Sequence, residues 1–207
     1  FRVEIGGFMF DDTINGTAYG RKQTEFGYDT ISETRVTRNL AAFGSVEFDA
    51  TDRLTIGGEL RIANDKIGTR PGASYRLGDL FAGVANPARI IAGDGAIRNA
   101  TFNSILPRIT IDYQANDDTL IYAVYSEGNA PGGFNGVTAP KTTFDEEKLK
   151  NYELGIKSRP LDGLTINVAG FFNQYSNQVL TSNFTTPAGA VNSFSDNIGD
   201  SEIYGLE

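Results

Sequence analysis

Residues 53–63 read RLTIGGELRIA. Leu54, Ile56, Gly58, Leu60 and Ile62 fall on one side of an extended chain, and Arg53, Thr55, Gly57, Glu59 and Arg61 fall on the other. Side chains alternate faces along a strand, so this strict period of two predicts a strand that is oily on one face and wet on the other. The apolar side carries no charge.

The same pattern recurs outward in both directions. In 39–50, NLAAFGSVEFDA, residues Leu40, Ala42, Gly44, Val46 and Phe48 oppose Asn39, Ala41, Phe43, Ser45, Glu47 and Asp49. In 106–114, Ile109, Ile111 and Tyr113 oppose Arg108, Thr110, Asp112 and Gln114; in 164–172, Leu164, Ile166, Val168 and Phe172 oppose Thr165, Asn167, Ala169 and Phe171. In NYELGIK, 151–157, Tyr152, Leu154 and Ile156 oppose Asn151, Glu153, Gly155 and Lys157. TLIYAVYS, 119–126, is apolar on both sides, so its pattern does not orient it. A rival reading exists just before NYELGIK: Thr143 and Glu146 have capping-box spacing, and Leu149, Tyr152 and Ile156 have helical spacing, which predicts a helical turn over 144–149.

The connections alternate in length. ATDR, ANDD and RPLDG, at 50–53, 115–118 and 159–163, have the Asp, Asn, Pro and Gly that tight turns use. Between them lie long connections at 11–32, 66–101, 127–147 and 179–196. Long structureless loops are uncommon in compact soluble domains. Antiparallel outer-membrane barrels have this plan as a rule, with short periplasmic turns, long extracellular loops and strands that alternate apolar-out and polar-in. The fold expected is therefore all-β: about eight meandering strands of an antiparallel transmembrane β-barrel.

Composition agrees. The 207 residues include no apolar run near the roughly 18 that a spanning helix requires. Mean hydropathy is −0.26, since alternation hides a membrane face inside an ordinary average. Cysteine and histidine are absent, which removes thiolate, imidazole and the usual zinc sets. The net charge of −8 argues against nucleic acid as a partner. Carboxylates at Glu47, Glu59, Asp112 and Glu153 alternate with Arg53, Arg61, Arg108 and Lys157, which predicts a cross-strand charge ladder rather than a catalytic pair. No catalytic, cofactor or metal site is assigned, although Asp11-Asp12 and Asp145-Glu146-Glu147 have the chemistry to attract calcium.

Three phrases together resemble a known family, the TonB-dependent outer-membrane receptors. They are LPRITIDYQANDDTLIYAVYSEGNAPGGFNG, FDEEKLKNYELGIKSRPLDGLTINVAGFFNQYSNQ and NIGDSEIYGLE. The order is that of the family's C-terminal barrel: an L-P-R strand, a tyrosine-rich partner, a GGFN loop, a Y-E-L-G-x-K strand and an aromatic strand. Such barrels hold about 22 strands. The resemblance therefore implies that residues 1–207 form a partial barrel domain, an internal piece without the plug domain.

It further implies a cell outer membrane location in a Gram-negative bacterium and a non-enzymatic role. That role is binding and uptake of a scarce nutrient of the ferric siderophore, vitamin B12 or oligosaccharide class. The implied partners are outer-membrane lipid and lipopolysaccharide, the plug, the inner-membrane TonB energy complex and the small-molecule nutrient. Loops on a rigid barrel carry recognition, so Arg70, Tyr75, Arg76, Phe134 and Asn135 are candidate ligand contacts. Arg21, Lys22, Arg70 and Arg76 are candidates for lipopolysaccharide phosphates or an acidic ligand. GNAPGGFNG, lacking a phosphate-loop lysine, reads as a flexible loop. Two rivals share the alternation: a passive outer-membrane barrel or porin closed by its own eight strands, and a soluble β-sandwich whose apolar faces meet across a core.

Overall fold

The computed structural model describes the backbone of residues 1–24, 27–76, 97–136, 139–185, 189 and 191–207, and the side chains of these apart from 15–24, 27–33 and 71–76. Among the described residues there are twelve strands: β1 (Arg2–Thr24), β2 (Gly27–Thr51), β3 (Leu54–Arg76), β4 (Arg98–Asn116), β5 (Thr119–Ala130), β6 (Gly133–Phe134), β7 (Thr143–Phe144), β8 (Glu147–Leu161), β9 (Leu164–Ser176), β10 (Val179–Thr185), β11 (Val191–Asn197) and β12 (Ser201–Leu206). Eight make one antiparallel sheet in the order β1-β2-β3-β4-β5-β8-β9-β12, while β6-β7 and β10-β11 form two small hairpins of their own. The three expected tight turns join β2 to β3, β4 to β5 and β8 to β9, and antiparallel order puts all three at one end. Gly163, with φ of 79°, supplies the left-handed residue of the last.

Hydrogen-bonded register fixes which residues share a face. One lateral row crosses all eight strands: Val3, Val46, Gly58, Ile109, Tyr125, Tyr152, Phe172 and Tyr204. It joins the faces read as apolar from each strand separately, and it orients β5 with Ile121, Ala123 and Tyr125 on the apolar face and Tyr122 and Val124 on the polar one. The apolar face is bare: Ile56 is 40%, Leu60 45% and Ile62 53% exposed. Among the described residues no second sheet covers it, which overturns the sandwich. Ala63, on the polar side and 5% exposed, is the one buried hydrophobic side chain among the described residues. β1 and β12 lie at opposite edges of the sheet and do not pair, so the eight strands do not close on themselves as the small passive barrel requires.

The apolar band crosses the rows obliquely. On the apolar face its last member is Met9 on β1 and Leu40 on β2, three rows above the shared row. On β3 and β4 it is Ile62 and Ile105, two rows above. On β5, β8, β9 and β12 it is the shared row itself, Tyr125, Tyr152, Phe172 and Tyr204. The next outward residue on every strand is polar: Asp11, Arg38, Asn64, Asn103, Glu127, Lys150, Gln174 and Glu202. The lower edge falls the same way, from Phe48 on β2 through Leu54, Tyr113, Ile121 and Ile156 to Leu164 on β9. A drop of three rows is about 20 Å along the strands, and the six strand spacings from β2 to β12 are about 29 Å, so the strands tilt about 35° from the band's normal. Barrel strands tilt by about that much.

The long connections carry strand of their own: within 11–32, β1 and β2 run on to Thr24 and from Gly27, β3 runs to Arg76, and β6, β7, β10 and β11 are short pieces of the later two. Backbone amides beyond the bilayer still need partners, and continued pairing supplies them. Residues 77–96 lie outside the described residues. No helical turn forms over 144–149, because Thr143–Phe144 pairs with Gly133–Phe134 and β8 begins at Glu147.

Candidate functional site

The site is the end of the sheet opposite the tight turns. Register runs unbroken from Leu54↔Tyr113 to Thr69↔Arg98, so Arg98 shares the polar, lumen-side face with Phe102 and Arg108. Its Nη1 donates to the carbonyls of Asn135 (2.7 Å) and Thr142 (3.2 Å), and its guanidinium lies 5.0 Å from the Phe134 ring centroid. A Cβ on Gly132 would collide with the Phe144 carbonyl and come within 2.8 Å of the Phe102 ring. Residues 132–136 and 139–142 are thus folded onto the lumen side of β4, with Gly132 where a side chain has no room. Gly132, Gly133 and Asn135 are buried. The flexible-loop reading of GNAPGGFNG is corrected accordingly.

Asn135 is 8% exposed and its amide is fully used: Nδ2 donates to the carbonyls of Lys141 (3.0 Å) and Ser195 (2.7 Å), and Oδ1 accepts from the Ser195 amide (2.8 Å). Phe134 stands beside it under Arg98. Arg70 is exposed and, two residues beyond Gly68, lies on the outer face with Thr34 as register partner. Tyr75 and Arg76 pair through their backbones with Thr30 and Asp29 in the upper β2–β3 hairpin, and their side chains lie outside the described residues, as do those of Arg21 and Lys22. The structure therefore brings Phe134 and Asn135 together and leaves Arg70 apart. Sequence reading missed Arg98, Lys141 and Asn197. The signal for a packed loop was the doubled glycine before Phe134.

The lumen wall below holds hydrogen bonds more than ion pairs. Glu47 pairs with Arg2 (2.6 Å), a residue outside the expected ladder, and no two members of that ladder form an ion pair among the described residues. Among the described residues, Glu59, Arg108 and Asp112 make no ion pair, Arg61 donates to Asn39 and lies over Phe8, and Glu153 accepts from the Tyr122 hydroxyl at 2.6 Å. Lys157 sits 4.9 Å from the Tyr122 ring centroid. That ring lies across Gly155, where a Cβ would approach it to 2.5 Å. Side chains on a concave polar wall are solvated, so opposite charges gain little by closing onto each other.

Among the described residues the two acidic runs do not converge. Asp11 and Asp12 point to opposite faces of β1, Asp11 meeting Arg38. Glu146 pairs with Lys148, and Glu147 caps the Val179 amide. Lys148, above the apolar band, has its pKa raised by its hydrogen bond to Glu146 and then by that carboxylate's charge.

On the outer face Tyr125, Tyr152 and Phe172 form a ring belt, with centroids 5.1 and 6.2 Å apart, and Tyr204 follows in register. Aromatic rings concentrate where hydrocarbon meets headgroups. A tilted meander that is bare and apolar outside, polar inside, belted by aromatics and turned tightly at one end is the wall of an outer-membrane β-barrel. The profile of the family described as TonB dependent receptor-like, beta-barrel, matches residues 4–207. The chain belongs to that family, and its place is the outer membrane of a Gram-negative bacterium.

The pesticin receptor of Yersinia enterocolitica is 30% identical over 184 residues, 87% of this chain and 24% of the relative. That of Yersinia pestis is 31% identical over 159 residues, 75% of this chain and 20% of the relative. The chain thus spans about a quarter of the length of these relatives, which are receptors and not enzymes. Among solved structures, the ferric yersiniabactin uptake receptor of Yersinia pestis superposes with a TM-score of 0.66 at 20% identity, covering 99% of this chain and 29% of that one. The alcaligin outer-membrane receptor of Bordetella pertussis gives 0.56 at 16%, covering 99% and 35%. At these identities the superpositions speak for the fold alone.

Proposed function

We propose that residues 1–207 are part of the barrel domain of a larger receptor that binds a ferric siderophore outside the cell and takes it up across the outer membrane. The observation that carries this reading is the family match over residues 4–207, joined to relatives and structural neighbours whose names are those of siderophore and pesticin receptors. In that receptor a plug would fill the polar lumen, and the TonB energy complex would drive passage. The wall charges left without ion pairs, Glu59, Arg108 and Asp112, fit a face that meets a polar plug. Phe134 and the upper hairpin residues Tyr75 and Arg76 are proposed ligand contacts, with Asn135 holding Phe134 in place. Arg70, on the outer face, suits a lipopolysaccharide phosphate.

The test is uptake by the full-length receptor in cells lacking their own siderophore receptors, offered ferric yersiniabactin, ferric alcaligin, cobalamin or an oligosaccharide. The expected result is growth on iron-poor medium with one of the ferric siderophores, lost when the energy complex is deleted. Uptake of cobalamin or oligosaccharide alone would overturn the siderophore reading, and uptake independent of the energy complex would favour a passive pore.

A further inference from the structure

Residues 131–136 and 139–145 and the β10–β11 hairpin come from two different connections, yet the hydrogen bonds of their side chains run mostly between them. The Asn135 side chain docks on the Ser195 backbone as a strand edge would, donating to its carbonyl and accepting from its amide. Asn197 returns the arrangement in the other direction: its Oδ1 accepts from the Asp145 amide at 2.7 Å, and its Nδ2 donates to the Asp145 carbonyl at 3.0 Å and the Asn177 carbonyl at 2.8 Å. Lys141 pairs with Asp196, and Glu147 accepts from the Val179 amide at 2.7 Å. The segment is seated on the lumen side of the wall by Arg98, which grips carbonyls from both of its arms. A side-chain amide that satisfies a backbone amide and carbonyl together leaves neither hairpin free to shift without exposing polar groups in the other.

We propose that these two hairpins are one mechanical unit, seated on the wall by Arg98, and that Asn135 and Asn197 are the positioning residues that make them move together. A contact on either is then felt by both. This rests on the reading of this end as the outward face of a receptor, and it adds to that reading a mechanical unit.

The test is hydrogen exchange on the full-length receptor in lipid nanodiscs without ligand, so that a failed uptake assay leaves its outcome intact. N135A is expected to speed amide exchange at least tenfold in both 141–145 and 191–197. N197A, substituted in the other hairpin, is expected to speed the same two segments. N135D keeps the acceptor for the Ser195 amide but sets a carboxylate oxygen against the Lys141 and Ser195 carbonyls, and is expected to speed exchange at least as much as N135A. K141A, at an exposed pair that does not threaten assembly, gives the same pattern with smaller amplitude, while 40–62 stays unchanged throughout. Acceleration confined to the hairpin that bears the substitution, or exchange already fast in both segments of the parent, would overturn the proposal.

Discussion

Residue identity at Leu60 and Glu59 separates two solvents across one peptide bond. Leu60 lies one outward step from Gly58, the middle of the band on β3, so L60R puts a charge into hydrocarbon at a cost of about 2–4 kcal/mol near the midplane, while a lumen substitution costs much less. The heat-modifiable, folded fraction of the full-length receptor in outer membranes is expected to fall sharply for L60R and to stay near the parent for E59R. Equal assembly of the two would contradict the lipid-facing assignment.

Gly155 presents a different kind of constraint. A methyl group there drives the Tyr122 ring off its seat, and with it the bond to Glu153 and the approach of Lys157. G155A is expected to destabilise by about 1 kcal/mol, the size of one net hydrogen bond, and to be nearly neutral in a Y122A background. Urea unfolding of the four corners of that double-mutant cycle reads the difference. Faces of individual residues were legible in the sequence because alternation needs no partner. The Tyr122–Gly155 contact was not, because the pattern over 119–126 does not say which tyrosine turns inward.

At the scale of elements, the strands and all three tight turns followed from local chemistry, and the far ends of the strands did not. Alternation marks the part of a strand that separates oil from water. Beyond the band both faces are wet, the alternation fades, and segments such as 11–24 read as loop although they pair to Thr24. The turn at Asp162-Gly163 shows how local the legible part is. Gly163 occupies a left-handed φ that costs a side-chain-bearing residue about 1–2 kcal/mol. G163V is therefore expected to slow refolding into detergent micelles or lipid and lower the unfolding midpoint. The same change at Gly58, whose Cβ would meet open space, is expected to do neither. The packed state of the GGFN segment was hidden for another reason: Asn135 and Ser195 are 60 positions apart, and nothing in either stretch announces the other.

The whole molecule is a tilted wall, and tilt is a property that no single strand carries. It appears only when register is combined with the upper edge of the apolar band, which steps from Leu40 through Ile62 and Ile105 to Tyr125 and Tyr204. Each edge residue was readable in the sequence as apolar; the oblique line through them required the pairing. Nine residues from Leu54 to Ile62 cover about 27 Å along the strand and about 22 Å along the normal once tilted, close to the roughly 25 Å apolar belt of outer-membrane barrels. Polarised infrared dichroism of the oriented full-length receptor is accordingly expected to give a mean strand tilt of 35–45°; strands near the normal would contradict the oblique band. The most direct test of the central claim is oxygen accessibility of nitroxide labels placed singly at 53–63 in the full-length receptor in bilayers. The account predicts high, lipid-like accessibility at 54, 56, 58, 60 and 62 and low values at the positions between; a profile without that alternation, or one reversed in phase, would contradict it.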